Sequence, residues 1–143
     1  MAIKNYTTKV STFQTLGEIQ GTLAEHGARK VMIDYDNNGN AVGITFGLEI
    51  QGIMTAFQLE ANVEGVLLVF KKQRLKTDEE QAARTAWRNV RDWIMAQMAF
   101  IECGNATMDE IFLPYLIGSN NQTLYECFSS GQLALPSTNN WEV

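Results

Sequence analysis

The sequence is poor in the residue types on which most enzymes and metal sites depend. Its 143 residues include one histidine, His26, and two cysteines, Cys103 and Cys127. A single imidazole disfavours the usual histidine-based metal sites, and the cysteines have no spacing typical of metal or redox chemistry, so we expect free thiols in a reducing compartment. His26 falls near the end of a predicted helix, where a cation complements the helix dipole. We therefore expect no metal and no cofactor.

Several further signals are missing. The sequence contains no phosphate-binding loop, no dinucleotide fingerprint and no nucleophile elbow. The first residues lack the apolar core of a signal peptide, and no apolar run reaches the roughly 20 residues needed to span a bilayer. These absences predict a cytoplasmic protein without a membrane segment or catalytic residues, and therefore one that is not an enzyme.

The composition itself is that of a folded protein. Hydrophobic residues make up 45% of the chain and charged residues 19%. A chain of this length can bury most of its apolar side chains in one core without disulfides or metal. We predict a single α+β domain over residues 1–131 and a flexible tail over 132–143, which is rich in Pro, Ser, Thr and Asn.

Three helix starts are indicated by the pattern Thr-x-x-Glu, which can form a capping box ahead of an apolar period. The pairs are Thr15 with Glu18, Thr77 with Glu80, and Thr107 with Glu110. The first predicts a helix from Leu16 to about His26, followed by Gly27 at a left-handed position. The second predicts a long helix from Thr77 to Cys103, and the third a helix from Met108 to about Leu116 that Pro114 should kink or terminate.

The long helix is predicted to be amphipathic and to pack on a sheet. Its apolar stripe comprises Ala83, Ala86, Trp87, Val90, Ile94, Met98 and Ile101. Such a stripe is wide enough to cover one face of a sheet.

Alternating apolar residues over 30–36, 42–50 and 54–59 predict a three-stranded antiparallel meander. The Asn- and Gly-rich turn after the first strand also matches the start of a calcium-binding loop, but Thr45 stands where that loop needs a bidentate Glu, so we favour a hairpin turn.

Two segments keep alternative interpretations. Residues 66–70 fit either a short helix capped by Asn62 or a fourth strand, and residues 122–128 fit a short strand or a coil.

The charge is unevenly distributed along a chain whose net charge is −5. Residues 71–91 contain seven Lys and Arg against three acids, whereas residues 92–143 contain six acids and no Lys or Arg. Within the basic stretch, Arg84, Arg88 and Arg91 follow helical spacing and predict a row on one side of the long helix. Such a row could contact phosphates or stack on bases. The candidate nucleic-acid-binding residues are Lys71, Lys72, Arg74, Lys76, Arg84, Arg88 and Arg91. The alternative is a solvated face with Arg88 paired to Asp92.

The long helix also carries candidate residues for a protein partner. Trp93 and Met95 lie off the main apolar stripe and widen the apolar surface. Together with Trp87 on the stripe they could form an interface, including one with a second copy of the chain. The alternative is core packing.

Six segments together resemble small uncharacterised proteins carried by phages and mobile elements of Gram-positive bacteria. They are 32–36, 57–64, 81–88, 92–99, 112–116 and 124–126. The resemblance implies a mobile-element context, in which small proteins commonly handle DNA or block host machinery, and it implies no catalytic residues.

The predicted order of helix, three strands and helix is also similar to the double-stranded RNA-binding fold. In this chain, however, the last helix opens with the acidic run Thr77-Asp-Glu-Glu80, where that fold would contact phosphates.

Three functional hypotheses follow. The first is a non-enzymatic accessory protein that binds nucleic acid or a nucleoprotein through the basic residues. The second is an inhibitor of a host defence protein, of the anti-CRISPR kind, whose acidic surface imitates nucleic acid. The third is a dimeric structural protein.

Overall fold

The computed structural model describes residues 1–133 and 135, and it has the predicted α+β architecture. The elements are α1 (Thr12–Glu25), β1 (Lys30–Tyr35), β2 (Ala41–Ile50), β3 (Ile53–Glu60), α2 (Val63–Lys72), α3 (Glu79–Glu102), α4 (Met108–Phe112), a 3-10 turn (Leu113–Tyr115) and α5 (Leu124–Ser129). The strands form one antiparallel sheet in the order β1-β2-β3. The predicted tail over 132–143 lies mostly outside the described residues.

The helix starts follow the predicted chemistry with two corrections. Thr107 and Glu110 form the capping box that the sequence predicts. Helix α1 instead begins one turn earlier, because Ser11 accepts a hydrogen bond from the Gln14 amide, and Thr15 is buried inside the helix. At α3 the cap is Asp78 and not Thr77. In both corrected cases a residue nearby offers an equally good oxygen acceptor for the first amides.

The helices α1, α2, α3 and α5 end in the same way, with a left-handed residue just after the cap. Gly27, Gly104 and Gly131 occupy this position after α1, α3 and α5, and Arg74 occupies it after α2 at φ 57°. In each case the next amide donates back to a carbonyl in the last turn, as Leu75 does to Phe70 at 2.9 Å. A left-handed arginine carries a steric cost that glycine avoids.

The meander has the three predicted antiparallel strands and the predicted turn between the first two. The pairs Ile33 with Ile44 and Phe46 with Phe57 place apolar side chains on one face of the sheet. The first turn is a hairpin turn as expected, in which the Asp36 carboxylate accepts from the amides of Asn38 and Asn40.

The two segments with alternative interpretations are both helical. Residues 66–70 lie within α2, which Asn62 caps. Residues 124–129 form α5, so the expectation of a strand or coil was wrong there. Thr123 and Glu126 form a capping box that starts α5, and the same Thr-x-x-Glu pattern would have indicated it.

A short extended segment runs along β3. Leu116 pairs with Phe57, and the Ile117 amide donates to the Ala56 carbonyl at 2.8 Å. This segment covers the middle of the free edge of β3, at Ala56 and Phe57.

The core lies between the sheet and helix α3, which packs between α1 and α2. Phe46, Phe57 and Phe112 form an aromatic group at its centre, with ring centroids 5.0–6.5 Å apart. Ala82, rather than Ala83, is the fully buried alanine near the start of α3. Among the described residues, no helix is both long enough and apolar enough to cross a bilayer.

Candidate functional site

The proposed partner residues on α3 have different environments. Trp87 is fully buried and its indole nitrogen donates to the Ala41 carbonyl at 3.1 Å, so its assignment to a partner interface was wrong. Met95 is half-buried, and its sulfur accepts from the Thr22 hydroxyl. Trp93 is 37% exposed and packs edge-on against Phe112 and Tyr115. Only Trp93 of the three keeps appreciable exposed aromatic surface.

Arg88 and Arg91 are held by an acidic residue of another helix. Glu18 on α1 accepts from Arg88 at 2.9 Å and from Arg91 at 3.2 Å, and Arg88 also contacts the Thr15 hydroxyl at 3.4 Å. The side chains of Arg88 and Glu18 are 18% and 28% exposed. The hydrogen bond from Arg88 lowers the pKa of Glu18, against the opposing effect of burial. These two arginines therefore join α1 to α3, which corrects their assignment to a free phosphate-binding row.

Asp92 is a second paired carboxylate on α3. It accepts hydrogen bonds from Lys4, Asn5 and Arg91. Burial raises the pKa of the Asp92 carboxyl, but these hydrogen bonds outweigh that effect and lower the pKa to about 2. The alternative predicted pairing of Arg88 with Asp92 does not form, since Glu18 binds Arg88 instead.

Asp92 belongs to a polar stripe on α3 that sequence reasoning missed. The stripe comprises Gln81, Thr85, Asn89 and Asp92. Three of its side chains bind the backbone of residues 4–8: the Gln81 amide donates to the carbonyls of Tyr6 and Thr8, the Thr85 hydroxyl to that of Asn5, and the Asn89 amide to that of Lys4. Asp92 accepts instead from the Lys4 and Asn5 side chains. The helical spacing of these polar residues was visible in the sequence, but the backbone groups that they bind were not.

Arg84 lies beside a shallow groove of about 710 Å³. The groove is lined by Tyr6, Thr7, Leu75, Lys76, Thr77, Asp78, Gln81 and Arg84. Arg84 donates to Gln81 and, at 3.3 Å, to the well-exposed Glu80. An exposed pair of this kind is weak and exchanges readily with other anions. Arg84 thus borders a groove that also contains the basic side chain of Lys76.

The remaining candidate residues form an exposed basic segment at the end of α2, which we call the α2 basic segment. It consists of Lys71, Lys72, Arg74 and Lys76, all of them exposed. None of the four makes a side-chain hydrogen bond or ion pair with any described residue. Lysines in the last turn of a helix complement its dipole, but this requires no specific partner.

Most of the acidic residues after Arg91 have structural partners. Asp92 pairs as described, Glu102 contacts His26 at 3.2 Å, and Glu110 and Glu126 complete capping boxes. Acidic side chains committed to such contacts make a poor imitation of a regular row of phosphates. The His26 position at the end of α1 agrees with the sequence expectation.

Comparison with known proteins gives no relative for this chain. No known protein family, no curated protein and no solved structure matches it.

Proposed function

We propose that this protein is a non-enzymatic accessory protein of a phage or mobile element that binds nucleic acid through the α2 basic segment together with Arg84. The observation that carries the proposal is that Lys71, Lys72, Arg74 and Lys76 are exposed and have no acidic partner among the described residues. Lysine ammonium groups in this setting are free to replace the counterions of a phosphate backbone.

The groove next to the α2 basic segment supports the same proposal. Lys76 and Arg84 both line it, so a phosphate group in the groove would lie between two cations. Arg88 and Arg91 contribute indirectly, because their pairing with Glu18 fixes the helix that carries Arg84.

The experiment is a salt titration of binding to labelled single-stranded and duplex DNA and RNA. Affinity for nucleic acid decreases with salt, and each phosphate contact contributes roughly 0.9 (duplex DNA) or 0.7 (single strands) to the steepness of the plot of log affinity against log salt. In Lys71→Gln/Lys72→Gln we therefore expect this plot to become shallower by about 1.8 on duplex DNA and by about 1.4 on single strands. The matched control is Lys9→Gln/Lys30→Gln, which removes two exposed lysines elsewhere.

An unchanged slope in the first variant, or an equal change in the control, would contradict the proposed site. Absence of salt-sensitive binding to any of the nucleic acids at low ionic strength would remove the proposed function altogether.

A further inference from the structure

A second surface, which the proposed function does not use, is a cleft of about 1140 Å³ where the starts of three helices meet one end of the sheet. We call it the helix-start cleft. The first residues of α1, α2 and α3 line it together with the β1–β2 turn and the end of β3. It contains exposed apolar side chains: Phe13 is 89% exposed, Tyr35 61% and Val42 37%. Single exposed apolar residues are ordinary, but three around one concavity form a patch typical of an interaction site.

The charge of the helix-start cleft has one sign. Six acidic residues line it: Asp34, Asp36, Glu60, Glu64, Glu79 and Glu80, and the described lining contains no Lys, Arg or His. Asp34 accepts a hydrogen bond from the Thr45 hydroxyl, and Asp36 accepts from turn amides. Glu80 contacts Arg84. Glu60, Glu64 and Glu79 are exposed and make no side-chain hydrogen bond among the described residues.

These carboxylates do not form a cation site. Among the described residues, no three His, Cys, Asp or Glu side chains come close enough together to hold a metal ion. Spread acids beside exposed aromatic rings suit a larger ligand, whose cations can contact carboxylates and ring faces at several points.

We propose that the helix-start cleft binds a lysine- and arginine-rich segment of another protein that also carries an apolar side chain. The apolar side chain would pack beside Phe13, and the basic side chains would contact Glu60, Glu64 and Glu79. The acidic lining of the cleft, which contains no described basic residue, favours such a partner, because complementary charge attracts a cationic segment. The proposal is independent of the α2 basic segment.

The test uses two labelled peptides of equal length and equal positive charge, one of arginine and glycine and the other of arginine and leucine. We expect the leucine peptide to bind more tightly. Glu60→Gln/Glu64→Gln should weaken both peptides about tenfold at low salt. Phe13→Ser should weaken the leucine peptide by about fivefold and leave the glycine peptide nearly unchanged.

Matched controls separate the cleft from general attraction to an acidic protein. Glu25→Gln/Asp109→Asn removes the same charge from exposed sites, including one in the first turn of a helix, as Glu64 is. Leu68→Ser removes an exposed apolar side chain from the middle of α2, outside the cleft. Melting curves of every variant verify that the fold is intact.

Equal weakening by the cleft and control variants would overturn the proposal, as would equal binding of the two peptides. Light scattering gives the remaining outcome. If the wild-type chain self-associates at low salt and Glu60→Gln/Glu64→Gln abolishes this, the occupant is a second copy and the proposal fails. Nucleic-acid binding by the same variants should be retained, which keeps this test separate from that of the proposed function.

Discussion

The arginines on helix α3 and the basic residues just before it differ in their surroundings. Arg88 and Arg91 point at Glu18 on α1, and both are largely covered. Lys71 and Lys72, at the end of α2, face solvent without an acidic partner in the described structure. Side chains of the same charge therefore have different roles. Arg88 and Arg91 stabilise the fold, whereas Lys71 and Lys72 remain available to a ligand.

The difference between the two groups can be tested by removing one charge from each. Arg88→Met keeps most of the side-chain volume but leaves the Glu18 carboxylate without its main donor, so we expect the free energy of unfolding to fall by about 2 kcal/mol. Lys72→Met should change the free energy of unfolding by less than about 0.5 kcal/mol, because the Lys72 ammonium contacts solvent and no acidic partner in the described structure. Urea unfolding measures both.

Glu18→Gln gives the corresponding control. If the Arg88 and Glu18 side chains act as a pair, Glu18→Gln lowers the free energy of unfolding less in the Arg88→Met background than in the wild type. Additive losses would show that the pair is not a stabilising unit.

The dependence of the free energy of unfolding on pH in the acid range gives a second, somewhat smaller test, which concerns Asp92. The folded chain holds the Asp92 pKa at about 2 against an ordinary value of 3.8. The resulting stabilisation is complete above the ordinary pKa and is lost as the pH falls through about 2. We expect Asp92→Asn to lower the free energy of unfolding by about 1–2 kcal/mol at neutral pH and to flatten its fall between these two pH values.

Chemical unfolding over a pH series measures this effect. The control is Asp109→Asn, which changes an exposed aspartate that has no side-chain hydrogen bond in the described structure. The same flattening in the control would exclude Asp92 as the cause.

A small effect of the opposite sign is expected in the α2 basic segment. Arg74→Gly removes a side chain from a left-handed position, so we expect the free energy of unfolding to rise by about 0.5 kcal/mol. The same substitution removes a cation from the proposed nucleic-acid site, and affinity should fall. Gly104→Ala, at φ 80° in the equivalent position after α3, should lower stability by about 1 kcal/mol.

Thermal melting and the binding titration together separate the two roles of Arg74. A variant that is more stable and binds nucleic acid less well supports a functional reason for arginine at this position. If binding is unchanged, Arg74 does not belong to the site.

Local chemistry made much of the fold predictable. The Thr107–Glu110 capping box, the left-handed Gly27 and the alternation of the three strands depend on neighbours in the chain, and each prediction was confirmed. The start of α1 was misplaced because Glu18 resembled a capping residue, whereas its carboxylate binds arginines on α3.

The candidate site was less predictable, because it depends on contacts between residues that are distant in the sequence. Helical spacing correctly put Arg84, Arg88 and Arg91 on α3, but a helical pattern does not show which distant side chains face it. Glu18, which pairs with Arg88 and Arg91, lies about 70 positions earlier in the chain. The helix-start cleft is likewise assembled from six separate elements (α1, α2, α3 and the three strands), and no single segment of the sequence indicates it.

The short pairing of Leu116 and Ile117 with β3 limits how the sheet could join other molecules. It pairs with the middle of the outer edge of β3, so β1 is the sheet edge without any neighbouring extended segment in the described structure. Continuous edge-to-edge stacking requires two open edges on every molecule. Two copies joined through β1 would therefore present only their partly covered β3 edges to a third, which disfavours growth into a fibre.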